Sequence, residues 1–126
     1  MRPVHPRSTT SEESVVLRTA LSITSGEDSL RDLAATLEDL VVTAVCECGC
    51  ASVSFGPEPE PGDSRPIADC IGRTPDGGDV GVLVWASRER LSGLEVYDLG
   101  AGEGHLVLPL PESLRPFPKG EPHGVL

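Results

Sequence analysis

The 126-residue chain contains no asparagine and no glutamine, and Lys119 is its only lysine. Aromatic residues make up 3% of it, so a hydrophobic core must be built mainly from Val, Leu and Ala. The four rings are also too few for a surface on which nucleic-acid bases stack. No apolar run approaches the roughly 18 residues that a membrane-spanning helix needs.

Positive charge is scarce, because 20 acidic residues face 10 basic ones and the formal net charge is -10. Phosphate-binding surfaces need clustered Lys and Arg, whereas the arginines here are scattered. We therefore expect neither nucleic acid nor an anionic membrane as a partner. An acidic surface suits solubility, or a basic protein partner. The first residues lack the apolar core of a secretory signal, so we expect a cytoplasmic protein with reduced thiols.

Recognisable catalytic motifs are also missing. The sequence has no Gly-x-Ser-x-Gly, His-Glu-x-x-His or Ser-x-x-Lys pattern. His5 and His123 lie near the ends, and His105 closes the segment "GAGEGH", which does not lead from a strand into a helix as a phosphate loop would. The sequence predicts no catalytic residue, and an enzyme is the less favoured interpretation.

Two helices are predicted near the N-terminus. Thr10 and Glu13 have the spacing of a capping box, and the apolar residues behind them fit one helix that ends near residues 25–26. In a second helix from about residue 27, apolar residues recur at helical spacing. These residues are Leu30, Leu33, Ala34 and Leu37.

Strands are predicted from residue 41 onward. The segments rich in β-branched or alternating apolar residues are 41–46, 50–55, 67–74, 80–86 and 91–99, with a short edge strand at 105–110. The fold class is thus α+β: two N-terminal helices packed on a five- or six-stranded, mainly antiparallel β-meander. Residues 1–10 are expected to be a flexible tail, 11–114 a single domain and 115–126 a proline-rich tail.

The strand at 80–86 is apolar on both of its faces. Val82 and Val84 alternate with Leu83 and Trp85, so both faces of the sheet should be at least partly covered. Two helices can cover one face. A proline-rich C-terminal segment, a curled sheet edge or a second copy of the protein would have to cover the other.

Three of the four cysteines lie in the stretch "VCECGCA", in which Gly49 is expected to shape a tight hairpin turn. One interpretation is that the thiols pack as small buried hydrophobes. A second is a metal or redox site formed by Cys46, Cys48 and Cys50, with Cys70 as the fourth ligand of a zinc ion. A third is a disulfide between Cys46 and Cys50. The second requires Cys70 to lie beside the hairpin.

The segments "SLRDLA", "CECGC", "VGVLVW", "LSGLEVYDLG" and "LPLPESL" follow one another in this order. In this respect residues 29–114 resemble a group of small uncharacterised bacterial proteins with a helix, a Cys-Gly-Cys hairpin and an "LSxLEVY" strand. The resemblance implies that the hairpin cysteines belong to a shared architecture, and it implies no activity.

The function expected from these features is that of a small acidic, non-enzymatic protein-binding module without a cofactor, such as an inhibitor or an immunity protein. Its partner would be another protein, including a second copy of itself as a homodimer. The alternative is a cysteine-centred metal-binding or redox protein.

Overall fold

The computed structural model describes residues 1–24, 36–57, 62–88, 90–100 and 106–117. These residues form one α-helix packed on a seven-stranded antiparallel sheet, which confirms the α+β class but exceeds the five or six strands expected. The helix α1 spans Ser11–Thr24. The strands are β1 Arg2–Ser8, β2 Val41–Val45, β3 Val53–Phe55, β4 Ser64–Arg73, β5 Asp79–Ser87, β6 Arg90–Asp98 and β7 Arg115–Pro116. Their order in the sheet is β1-β2-β3-β6-β5-β4-β7.

Helix α1 begins at the predicted capping box. The Thr10 N–H donates to Glu13 Oε1 at 2.8 Å, and the Glu13 N–H donates to Thr10 Oγ1 at 3.1 Å. The predicted apolar stripe of α1 is buried, which packs the helix on the sheet. The second predicted helix falls mainly on residues 25–35, which lie outside the described ones. Its last part is a 3₁₀ turn, Leu37–Asp39, in which Leu37 is buried. No described helix is long and apolar enough to span a membrane.

Both segments that were expected to be tails contribute strands. Strand β1 pairs with β2, and β7 pairs with β4 at Cys70 and Ile71. Pro3 and Pro6 suggested an irregular tail, but β1 is an edge strand, where a missing N–H on the outer side breaks no ladder. The same holds for β7, which contains Pro116 at the opposite edge.

The sheet is only partly a meander. Strands β4, β5 and β6 pair in sequence order, but β3 pairs with β6 rather than with β4. Residues 106–110, expected as part of an edge strand, do not form one. Their contact with the sheet includes a hydrogen bond from the Leu110 N–H to the Arg73 carbonyl at 2.9 Å.

One face of the sheet carries the core. Val82 and Val84 on β5 pack there with α1. The C-terminal segment lies on this face too: a Cβ on Gly72, which pairs with Val80, would come within 2.7 Å of Pro109 Cβ. One of the alternatives drawn from the sequence required this segment to cover the opposite face. The segment lies on the core face instead, so that alternative is wrong.

The second face carries Leu83, Trp85 and Tyr97, all half-buried. The Tyr97 ring lies across β5 at Gly81, where an added Cβ would be 2.0 Å from Tyr97 Cζ. From there the Tyr97 hydroxyl contacts Asp69 Oδ1 on β4 at 2.9 Å. Because α1, Pro109 and Leu114 all lie on the core face, the second face is the open side of the described sheet.

Candidate functional site

The cysteine-rich segment forms the loop between β2 and β3. Val45 pairs with Val53, and the Cys46 N–H donates to the Ser52 carbonyl at 3.2 Å. The turn is closed by the Gly49 N–H, which donates to the Cys46 carbonyl at 3.1 Å, and Gly49 has the expected positive φ of 86°. The predicted hairpin is confirmed, although both strands stop short of the cysteines.

The turn brings three sulfur atoms together. The Sγ atoms of Cys46, Cys48 and Cys50 all lie within 4.8 Å of one another. The sulfurs of Cys46 and Cys48 are 2.8 Å apart. All are free thiols; Cys48 is exposed and the other two are half-buried. Within the described part of the chain, no further Cys, His, Asp or Glu joins this group.

The loop is held to its neighbours on both sides. The Ala51 N–H donates to the Leu106 carbonyl at 2.8 Å. On the other side, the Val96 N–H of β6 donates to Ser52 Oγ at 2.8 Å, and this hydroxyl in turn contacts the Val96 carbonyl at 3.3 Å. The residues that follow Cys50 are therefore fixed by backbone contacts that do not involve the thiols.

The thiols differ in acidity. A hydrogen bond with Cys46, and then one with Cys50, raises the pKa of Cys48 to about 11. Burial raises the pKa of Cys50, but hydrogen bonds from Ser52, Cys48 and Cys46 outweigh it and lower the pKa to about 7. One thiolate thus forms readily at Cys50, while negative charge on a neighbour opposes a second.

Cys70 does not belong to the cluster. It lies on β4, fully buried in the core, where burial raises its pKa to about 11. Strands β6 and β5 lie between β3 and β4, which puts β4 roughly 14 Å from β3 at about 4.8 Å per strand. The interpretation of the four cysteines as one zinc site, which required Cys70 beside the hairpin, is therefore wrong in its fourth ligand.

The three clustered cysteines are among the residues that line a cleft of about 1040 Å³. Residues 92–98 of β6 all line it, so it follows this strand for roughly 20 Å. On the second face its lining includes Trp85, whose Nε1–H donates to Glu95 Oε1 at 3.1 Å. The cleft is not directly predictable from the sequence; its one signal there is the apolar second face of the strand at 80–86.

One residue that lines the cleft has a buried, unsatisfied hydroxyl. Ser92 is 5% exposed, and its Oγ has no hydrogen-bond partner within the described residues. A buried polar atom without a partner costs about 1–3 kcal/mol. Because the oxygen itself is buried, Ser92 destabilises the fold locally and offers no exposed hydroxyl to the cleft.

The histidines add nothing to the described site. His5 lies exposed on β1, and His105 and His123 are outside the described residues. A scan against protein-family models finds no match, and searches of curated proteins and of solved structures find none either.

Proposed function

We propose that the protein binds one soft or borderline metal ion through the thiolates of Cys46, Cys48 and Cys50. The observation that supports this is the grouping of their three sulfurs within 4.8 Å. At the usual zinc–sulfur distance of about 2.3 Å, sulfurs around a tetrahedral ion are about 3.8 Å apart. Cys46 and Cys48, at 2.8 Å, would separate by only about 1 Å to reach this spacing.

The donor type limits which ions fit. Thiolates select zinc, copper(I) and iron–sulfur clusters, whereas magnesium and calcium need oxygen ligands. The loop is also suited to adjust, because Cys48 is exposed and its side chain is not confined by the core. The proposed activity is binding, without a chemical step.

The test is metal analysis of the full chain purified without oxygen and loaded with zinc. We expect one ion per chain, and Cys48→Ser should weaken zinc binding by about 100-fold or more, since even outer-shell changes cost 10- to 100-fold. Cys70→Ala is the matched control: it also removes one thiol and should leave zinc affinity unchanged. Equal losses in the two variants, or a folded protein that binds no zinc, would contradict the proposal.

A second candidate is the protein-binding function expected from the sequence. It is favoured by Leu83, Trp85 and Tyr97, which lie half-buried on the face opposite α1. With a net charge of -10, the chain suits a basic partner.

Retention of a basic partner protein by immobilised wild type tests this candidate. Leu83→Arg should abolish retention, because it puts a positive charge on the contact face against a basic partner. Val15→Arg, at an exposed position on α1, should not. A wild type that stays monomeric and retains no partner, or equal effects of both substitutions, would count against it.

A further inference from the structure

Among the described residues, the three-thiol cluster is incomplete as a four-coordinate site. Structural zinc takes four ligands, whereas zinc sites that keep three protein ligands leave the fourth position to water or another small molecule. Here the fourth thiol, Cys70, lies in the core on a distant strand. The three others line the cleft, so an ion bound to them would be exposed to the cleft.

The cleft has the size and the polar groups of a ligand site. Its volume of about 1040 Å³ is at the upper end of small-molecule pockets. Trp85 offers an aromatic surface that is held by its hydrogen bond to Glu95.

Charge limits the ligand. Among the described lining residues, Glu95 has its charged side chain on the second face, where it pairs with Leu83, whereas Asp98 pairs with Val80 of the core face. A divalent ion with three thiolates carries a net charge of -1, so an anionic fourth ligand would be repelled by the site and by the Glu95 carboxylate. A neutral nitrogen donor adds no negative charge, and imidazole nitrogen is a common ligand of zinc and copper.

We propose that a metal held by Cys46, Cys48 and Cys50 keeps an open coordination position on the cleft side, and that this position takes a neutral, imidazole-type nitrogen donor from a small ligand in the cleft. The inference rests on the proposed metal-binding function. It adds the chemical class of the ligand and the side from which it enters.

Cobalt(II) is the probe, because its visible spectrum reports the number and type of its ligands. The full-length cobalt-loaded protein is titrated at about pH 8, where an imidazole ring is neutral. Imidazole should change the spectrum saturably, with one molecule bound per cobalt. Imidazole-4-acetate, which carries a carboxylate, should bind about tenfold more weakly.

Two variants test the role of charge. Glu95→Gln keeps an acceptor for the Trp85 N–H but removes the carboxylate. It should reduce the ratio of the affinities for imidazole and imidazole-4-acetate about threefold. Glu112→Gln removes an equal charge from an exposed position outside the cleft and should leave this affinity ratio unchanged.

The outcomes separate the two proposals. A protein that binds no cobalt would overturn both. A cobalt-loaded protein whose spectrum does not change when imidazole is added would overturn the open position alone. Imidazole-4-acetate that binds as tightly as imidazole would overturn the preference for a neutral donor.

Discussion

Gly81 determines where a neighbouring aromatic ring can lie. An added Cβ would be 2.0 Å from Tyr97 Cζ, whereas at Gly93, on the adjacent strand, the nearest atom would be the Val53 carbonyl oxygen at 3.5 Å. The ring thus occupies the space of a missing side chain. This position allows the Tyr97 hydroxyl to reach Asp69 across β5.

The two glycines make a matched pair of variants. Gly81→Ala should lower the free energy of unfolding by about 1–3 kcal/mol, because Tyr97 must leave its place and lose the Asp69 contact. Gly93→Ala adds the same methyl at an ordinary van der Waals distance and should change stability by less than about 1 kcal/mol. Denaturant unfolding measures both. Equal losses in the free energy of unfolding would show that displacement of Tyr97 is not what destabilises Gly81→Ala.

At the scale of elements, Glu13 joins β1 to α1. Its carboxylate accepts from the Arg7 guanidinium at 3.0 Å and from the Thr10 N–H at 2.8 Å. Burial raises the pKa of Glu13, but the hydrogen bonds from Arg7 and Thr10 outweigh it and hold the pKa below its usual value of 4.5. One carboxylate therefore starts the helix and fixes the edge strand beside it.

The lowered pKa of Glu13 predicts how stability depends on pH. The stabilisation is present above the unfolded-state pKa, near 4.5, and is lost as pH falls through the lower folded-state value. Glu13→Gln should cost about 1–2 kcal/mol at neutral pH and lose less stability than the wild type on acidification. Glu12→Gln, at the exposed neighbouring position, is the control. Unfolding curves between about pH 6 and pH 3 provide the comparison, and parallel losses in wild type and Glu13→Gln would contradict the prediction.

Elements that depend on local signals were predictable from the sequence. The Thr10–Glu13 spacing located the start of α1, and alternating apolar residues located β4, β5 and β6. Strands β1 and β7 were missed because proline is read as a strand breaker, and only the sheet order shows that both are edges. The pairing of β3 with β6 depends on contacts distant in sequence, which no local pattern specifies.

At the scale of the whole molecule, the candidate site was predictable only in part. Cysteine spacing and Gly49 predicted the turn that groups three thiols. Cys70 also lies on a predicted strand, but the sheet order takes it away from the turn. The cleft could not be predicted either, because it follows from the way β6 lies beside β3 and from the absence of α1 on that face.

The prolines at the two sheet edges limit how copies of the molecule can associate. Pro3 and Pro6 on β1, and Pro116 on β7, have no N–H to offer an incoming strand. A continuous sheet growing from molecule to molecule, the route to fibrils, is therefore disfavoured at both ends. Association through the open face instead gives a closed dimer, because a symmetric contact between identical faces buries the face of each copy and leaves none for a third. We therefore expect any self-assembly of this protein to be closed and saturable rather than open-ended.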